Sequence, residues 1–254
     1  MENSEPEKNG FVYNRLKKLD IPKNSILYLH VGLRNTRAIT GLGYTELSKS
    51  LLDSIWYLFQ PQTILVPTFT YSFTKSGIFH RKFSKSEVGR FSEEVLQHFA
   101  KYRTPDPIFS VADVTDYLSK LDHVDYTNDY GDNSLFKYLS DQDYISISFD
   151  REKFGITQFH YIEKLFNVNY RYDKVFKGIL YHDETNWEHV QYSYFVHGGK
   201  AFSRWNRPKV EKYLTDVGIV HKSQDDIGIS WISAQDAIDC LRPKLLKDIN
   251  YLIS

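Results

Sequence analysis

The sequence predicts an α/β protein with three layers, in which helices cover both faces of a central sheet. Two apolar runs, 25–31 and 63–67, have the length and the uninterrupted hydrophobicity of buried parallel strands. Between them, 45–59 carries leucine and isoleucine at helical spacing. Strand, helix and strand in this order predict a parallel βαβ unit. A third apolar run, 144–149, precedes another amphipathic helix.

The segments between and after these runs follow from the same rules. A long polar and aromatic loop is expected over 69–90, and two prolines exclude a helix from 102–107. A polar turn between 175–181 and 187–196 predicts a β-hairpin. Five further helices and one strand are expected: helices over 11–19 and 210–216, one capped by Ser92, one near Ser134 and one from Ser233, and a strand over 227–232.

The chain shows no low-complexity segment, internal repeat or linker. One domain is therefore predicted over 1–254. It comprises an α/β core at about 11–170 and a β-rich C-terminal addition at about 171–254.

Composition narrows the classes of partner. Lys plus Arg equals Asp plus Glu at 32 each, so the net charge of +0 gives no indication of a nucleic-acid or acidic-lipid partner. The N-terminus lacks the pattern of a signal peptide, and no apolar run reaches the roughly 20 residues that span a bilayer. We expect a cytoplasmic protein without nucleic-acid or membrane partners. The 19 Tyr and 17 Phe suit sugar or base binding, and equally suit plain packing.

The stretch that suggests catalysis is the helix predicted after Gly155, in which Thr157, His160 and Glu163 are spaced by three. Phe159 and Ile162 fall on a different, apolar side, and Thr157 is a candidate cap. A histidine with a carboxylate one turn away is the minimum equipment of a general base. Taken alone, the same pattern also fits an ordinary solvated helix face.

Four separated segments stand out as motifs. They are His30-Val31-Gly32-Leu33, Val66-Pro67-Thr68-Phe69-Thr70, Arg103-Thr104-Pro105-Asp106-Pro107-Ile108-Phe109-Ser110, and the Thr157, His160, Glu163 set. Together they resemble the motifs of the aminoglycoside 3-N-acetyltransferases and their antibiotic-acetyltransferase-like relatives, occur in the family's order and cover about 25–170. A weaker resemblance, to relatives acting in bacterial surface-sugar pathways, lies in 170–176.

The resemblance implies direct acyl transfer from acetyl-CoA, as co-substrate, to an amine. Two departures fall where it places the cofactor: Asp106 replaces the family's histidine, and Val31-Gly32 replaces two serines. The Thr, His and Glu set is intact. The residues that it assigns to cofactor binding are His30, Val31, Gly32, Leu33, Thr68, Arg103, Thr104 and Ser110.

Within this interpretation His160 takes the proton of the attacking amine, because a neutral imidazole has a pKa near working pH. Glu163 would stabilise the imidazolium and fix its tautomer, and Thr157 would hold either partner. Arg103 has two open roles, pairing with a CoA phosphate or bracing its turn against a carboxylate. Ser110 is either a hydrogen-bond donor near the thiol or a buried structural serine.

Other candidate chemistries are weaker. Cys240 lies inside an amphipathic helix and is expected to be a small core residue, not an acyl-enzyme nucleophile. The nine histidines form no metal-ligand pair, so no metal is predicted. Aspartates 122, 125, 129 and 132 form a solvated loop or help to receive a cationic amine.

Three functions remain open. The first is an N-acyltransferase acting on a small-molecule amino sugar, nucleotide-linked and used for a cell-surface glycan. The second is the same chemistry on an aminoglycoside antibiotic, which as a polycation favours a strongly acidic cleft. The third is a non-catalytic carbohydrate- or partner-binding protein. The sequence leaves the acyl group, the acceptor and the oligomeric state undetermined.

Overall fold

The computed structural model describes residues 10–152, 154–199, 205–223 and 227–253. Its helices and strands alternate over most of this length. In chain order they are α1 Phe11–Leu16, β1 Ile26–Val31, α2 Arg34–Thr40, α3 Tyr44–Phe59, β2 Thr63–Pro67, α4 Phe73–Ser76, β3 Ile78–His80, α5 Arg90–His98, β4 Tyr102–Arg103, β5 Val111–Asp113, a 3₁₀ turn Leu118–Lys120, α6 Leu135–Asp141, β6 Ile145–Phe149, α7 Gln158–Leu165, β7 Arg171–Tyr181, β8 Trp187–His197, α8 Arg207–Asp216, β9 His221–Lys222, β10 Ser230–Ser233 and α9 Ala234–Lys247.

A seven-stranded sheet has the order β4-β5-β2-β1-β6-β10-β9. Its three central strands are parallel: β1 pairs with β2 on one side and with β6 on the other. The flanking strands pair antiparallel. The predicted βαβ unit is confirmed as β1, the helices α2 and α3, and β2.

Alternate residues of β1 enter different cores, because successive side chains point to opposite faces of a sheet. Leu27 and Leu29 pack with apolar residues of α1, α3 and α5. Ile26 and Tyr28 pack with residues of α6, α7, α8 and α9. Helices thus cover both faces, which confirms the predicted three-layer α/β fold.

A second sheet of three strands, β3-β7-β8, lies outside the central one. Strands β7 and β8 form the predicted hairpin, in which Tyr181 pairs with Trp187 and Arg171 with His197. In the tip turn, Asp183 accepts the backbone N–H of Thr185. Among the strands described after residue 170, β7 and β8 form this hairpin, whereas β9 and β10 extend the central sheet.

Three local predictions differ from the structure. The segment 69–90 contains α4 and β3, and β3 pairs in parallel with β7. Helix α5 begins at Arg90, so Ser92 is a buried helical residue and not the N-cap. Thr157 occupies the N-cap position of α7, but its backbone is helical and its side chain makes no capping hydrogen bond. In contrast, Ser233 accepts the Asp236 N–H and caps α9 as predicted.

No helix in the described ranges is long and apolar enough to cross a membrane.

Candidate active site

A cleft opens at the carboxyl ends of the three parallel strands. In open α/β sheets this edge is the usual position of a ligand site. Its volume is about 1070 Å³, including space open to solvent. The lining residues are His30, Val31, Pro67, Phe69, Tyr71, Val88, Ser92, Arg151, Phe154, Gly155, Ile156, Thr157, Phe159, His160, Trp205, Arg207, Val210 and Glu211.

His160 and Glu163 meet at the wall of this cleft, on α7. Their spacing of three residues places the two side chains on neighbouring positions of the helix. His160 Nδ1 lies 3.1 Å from Glu163 Oε2. The carboxylate is fully buried, whereas 29% of the His160 side chain is exposed. The imidazole therefore separates the buried carboxylate from the cleft.

Two residues outside α7 contact the carboxylate of Glu163. Trp205 Nε1 donates to Glu163 Oε1 at 2.6 Å. Arg171 Nε lies 2.8 Å from Glu163 Oε2 in an ion pair whose alignment is poor for a hydrogen bond. Burial alone would raise the pKa of Glu163, but the hydrogen bond and charge of His160, then Arg171 and Trp205, outweigh it and hold that pKa below 4.5. Glu163 is thus ionised near neutral pH.

Burial lowers the pKa of His160, and the charge of Arg171 lowers it further, while Glu163 opposes both. Arg171 Nη2 also lies 2.9 Å from His160 Nδ1. One nitrogen cannot both donate to Glu163 and accept from Arg171, so these contacts belong to different tautomers. With the proton on Nδ1, donated to Glu163, Nε2 holds the free lone pair that a general base requires.

Arg171 is held by further contacts of the hairpin. Its Nη1 donates to the Phe195 carbonyl at 2.8 Å, and its Nη2 lies 2.8 Å from His197 Nε2. Because Arg171 pairs with His197 in the β7–β8 register, the open end of the hairpin brings both residues to His160 and Glu163.

Thr157 is buried and lines the cleft. Its side chain makes no hydrogen bond with His160 or Glu163, and its carbonyl accepts the backbone N–H of His160 at 3.0 Å. The structure brings it next to the pair, without the holding contact that the sequence suggested.

Of the predicted cofactor residues on the β1 loop, His30 and Val31 line the cleft. His30 Nε2 is buried and has no hydrogen-bond partner among the described residues. Burial, then the charges of Arg151 and Arg207, lower the pKa of His30 to about 3, so it stays neutral. Gly32 and Leu33 do not line the cleft. A Cβ at Gly32 would lie 2.3 Å from the Asp150 carbonyl oxygen, so only glycine allows this approach of two backbone segments.

The remaining four predicted cofactor residues lie together behind the cleft, in one buried polar cluster. Ser110 Oγ donates to the Thr68 carbonyl at 2.8 Å, and Thr104 Oγ1 accepts the Val111 N–H at 2.9 Å. Arg103 donates to the carbonyls of Thr68, Arg81 and Ser84 and to the hydroxyls of Thr70 and Ser110. Of the two roles open to Arg103, this geometry favours bracing, with neutral oxygens in place of the expected carboxylate.

Asp106, which stands where the family has histidine, is also buried. It accepts the Phe109 N–H at 3.0 Å and the Tyr194 hydroxyl at 2.6 Å. Burial raises its pKa to about 6, although these hydrogen bonds oppose the rise. Asp106 therefore ties the 103–110 segment to β8 and does not line the cleft.

The other candidates lie outside the cleft. Cys240 is a partly buried free thiol, and aspartates 122, 125, 129 and 132 are not among the lining residues. Asp129 is buried and accepts the Phe195 N–H at 3.1 Å. Within the described ranges no three His, Cys, Asp or Glu side chains are grouped to hold a metal ion.

Sequence reasoning missed four residues of the site. Arg171 lies in the segment that resembles surface-sugar enzymes, without a role of its own. Trp205, Arg151 and Arg207 belong to none of the motifs in the sequence. Arg151 lies two residues beyond Phe149, the last residue of the third parallel strand, so its position was available from the sequence. Trp205 and Arg207 lie far from α7 in the chain and carried no such signal.

The fold is that of the aminoglycoside acetyltransferases. A histidine-to-alanine mutant of AAC(3)-IVa in complex with a gentamicin has a TM-score of 0.70 at 12% identity, covering 95% of this chain and 89% of that chain. AAC-IIIb in a binary complex with CoASH gives 0.73 at 12%, with coverages of 93% and 95%. AAC-VIa bound to sisomicin gives 0.69 at 17%, with coverages of 92% and 95%.

Comparison of the sequence with family profiles identifies the family of this chain. A profile of the aminoglycoside 3-N-acetyltransferases matches residues 29–245, and the chain belongs to this family. The resemblance inferred from the four motifs and the prediction of an N-acetyltransferase are thereby confirmed. The chain matches none of the curated proteins with which it was compared.

Proposed function

We propose that this protein transfers an acetyl group directly from acetyl-CoA to an amine, with His160 as general base. The observation that carries the proposal is the partly exposed imidazole of His160, which lies between the cleft and the buried, ionised Glu163. Family membership supports the reaction class, and the likeness to AAC-IIIb, a structure with CoASH, supports the donor.

Acetyl-CoA supplies an activated thioester. The residues of the chain have three tasks. His160 Nε2 takes the proton that the acceptor amine loses as its nitrogen bonds to the acetyl carbon and the C–S bond breaks. Glu163 stabilises the imidazolium that results and keeps the proton on Nδ1. His160 then gives this proton to the departing CoA sulfur and is neutral again for the next turnover.

Two further features of the cleft fit a donor of this kind. The buried Nε2 of His30 lacks a partner among the described residues, although buried polar atoms are nearly always hydrogen-bonded. A polar group of the bound donor would satisfy it. Pro67, at the end of β2, and the aromatic walls Phe69 and Tyr71 offer apolar surface to the pantetheine arm.

Two acceptor classes are compatible with this chemistry. The named ligands of the similar structures, a gentamicin and sisomicin, favour an aminoglycoside. The comparisons do not support the nucleotide-linked amino sugar that the balanced charge and the tyrosine content suggested. It stays the second candidate because two cationic side chains line the cleft.

A thiol-release assay tests the reaction. Wild type is incubated with acetyl-CoA and a panel of aminoglycosides and amino sugars, and free CoA thiol is followed with time. His160→Ala should lose a factor of about 10² to 10⁴ in kcat, and Glu163→Gln should lose less. Acetyl-CoA affinity should hardly change in either variant, because proton transfer belongs to the chemical step.

Calorimetry with acetyl-CoA alone provides the control. Micromolar binding, about −8 kcal/mol, is expected for wild type and for His160→Ala. A folded His160→Ala with near-normal kcat would refute the base assignment. Absence of acetyl-CoA binding in wild type would favour the non-catalytic alternative.

A further inference from the structure

Two arginines line the cleft without a carboxylate partner in the part of the chain that the structure describes. Arg151 follows β6, and its backbone N–H donates to the Gly228 carbonyl at 3.1 Å. Arg207 is the first residue of α8 and lies 6.0 Å from the ring centroid of Trp205. Each is therefore a cation held at the wall of the cleft.

Three carboxylates at or next to the wall of the cleft have partners other than these arginines. Glu211, on α8, pairs with Lys222 Nζ at 2.8 Å. Glu163 pairs with Arg171, and Glu87, next to the lining residue Val88, accepts the Ser72 N–H at 3.1 Å. The described wall of the cleft thus carries a surplus of positive charge.

The charge of Arg207 acts on Arg151 and on His160. Burial, then the charge of Arg207, lowers the pKa of Arg151. The charge of Arg207 also contributes to the lowered pKa of His160. Such coupling requires that Arg151, Arg207 and the base share one electrostatic environment.

We propose that Arg151 and Arg207 form an oxyanion-binding subsite of the cleft, and that the acceptor is an amino compound carrying a phosphate or carboxylate group, such as an amino-sugar phosphate. This inference rests on the proposed acetyl transfer and names the acceptor class for it. Guanidinium groups match phosphate and carboxylate bidentately, and charge-assisted hydrogen bonds are the stronger kind. A polycationic acceptor would meet two like charges at the same place, so the charge of the cleft opposes the aminoglycoside that the ligands of the similar structures favour.

CoA also carries phosphates, so the experiment must separate donor from acceptor. Binding is measured first, by calorimetry, with D-glucosamine 1-phosphate and with D-glucosamine. Arg151→Gln and Arg207→Gln should each weaken binding of the phosphate at least tenfold and change that of glucosamine by less than twofold. Arg242→Gln, which removes a half-exposed arginine on α9 outside the cleft, is the matched control and should change neither.

The donor comparison uses acetyl-CoA and S-acetylpantetheine, which lacks the phosphates. The proposal expects both glutamine variants to keep the wild-type KM for each donor within twofold. A tenfold rise in KM for acetyl-CoA alone would place the donor's phosphates on these arginines and overturn the assignment. Equal binding of glucosamine and its phosphate by wild type would overturn it as well.

A charge reversal gives the sharpest outcome. Arg207→Glu should lower kcat/KM for glucosamine 1-phosphate and raise it for the polycation kanamycin. A wild-type kcat/KM for kanamycin far above that for every anionic acceptor would overturn the inference while leaving acetyl transfer intact. If no acceptor released thiol but calorimetry still showed arginine-dependent phosphate binding, acetyl transfer would fail and the oxyanion subsite would stand.

Discussion

At the scale of single residues, the protonation of His160 is set by neighbours that act in opposite directions. Burial lowers its pKa most, Arg171 lowers it further, and Glu163 raises it. Because the pKa of His160 is lowered on balance, the imidazole stays neutral, and so able to accept a proton, at a pH somewhat below the ordinary histidine pKa of 6.5. We therefore expect the part of the acid limb of the wild-type pH–rate profile that belongs to His160 to lie below that value.

Arg171→Met should move this acid limb to higher pH, since the nearest cation that opposes the imidazolium is removed. Glu163→Gln should move it to lower pH, because the anion that favours the imidazolium is lost. The measurement is kcat/KM against pH for both variants. Arg171→Met should also lose about 3 kcal/mol in the free energy of unfolding, because Glu163 stays buried without its cation. Shifts of the same sign in the two variants would contradict this account.

At the scale of elements, the loop from β1 to α2 depends on a close approach to the end of β6. Asp150 has a positive φ of 55°, its carbonyl lies against Gly32, and its carboxylate accepts the Thr36 N–H at 2.8 Å. The end of β6 thereby fixes both the loop and the first turn of α2. This contact also fixes the position of the adjacent His30 and Val31 in the cleft.

Gly32→Ala should therefore cost about 2 kcal/mol in the free energy of unfolding, since a methyl group 2.3 Å from a carbonyl oxygen forces the backbone apart. Gly43→Ala is the matched control on the same connection. Gly43 has a φ of −69°, and a Cβ there would meet only a flexible glutamate side chain at 3.4 Å. Chemical denaturation of both variants measures the difference, and equal stabilities would refute the explanation.

Elements with a continuous local pattern were predictable. The three parallel strands read as apolar runs, and α7 was evident from Phe159 and Ile162, which are buried as expected. Strand β3 was not, because a run of only three residues becomes a strand only by pairing with β7, about a hundred positions later in the chain. The prediction that Ser92 caps this helix was wrong. The N-cap of α5 is Gly89, which has a φ of 138°, and the helix begins at Arg90.

The same distinction applies to the site. His160 and Glu163 lie one turn apart on a helix, so their contact follows from spacing alone. The partners of Glu163 come from the hairpin and from the segment before α8, and no local pattern joins these to α7. The segment around Arg103 resembles a motif of the family, but a motif does not tell whether its arginine faces the ligand or the protein interior.

At the scale of the whole molecule, Arg103 connects parts that are remote in sequence. Its guanidinium joins β4 to the segment after β2 and to the segment between β3 and α5. It also lies 4.7 Å from the ring centroid of Phe79, in β3. The central sheet and the second sheet are thereby linked through one buried cation.

Arg103→Met should lower the free energy of unfolding by about 3 kcal/mol, because several buried oxygens lose their donor together. Arg242→Met removes an exposed ion pair with Asp239 and should cost less than about 1 kcal/mol. Acetyl-CoA affinity of folded Arg103→Met should stay within twofold of wild type. A large loss of that affinity with unchanged stability would instead restore the contact with a CoA phosphate.

The paired ends of the hairpin have a consequence for engineering. Each strand is 11 residues long, so the turn between Tyr181 and Trp187 lies about 34 Å along the ribbon from Arg171 and His197. A fluorescent label or a fused peptide in that turn would leave the catalytic geometry in place. A single inserted residue within β7 would instead reverse which face each following side chain occupies. Libraries that vary this protein should therefore change length at the tip and only chemistry along the strands.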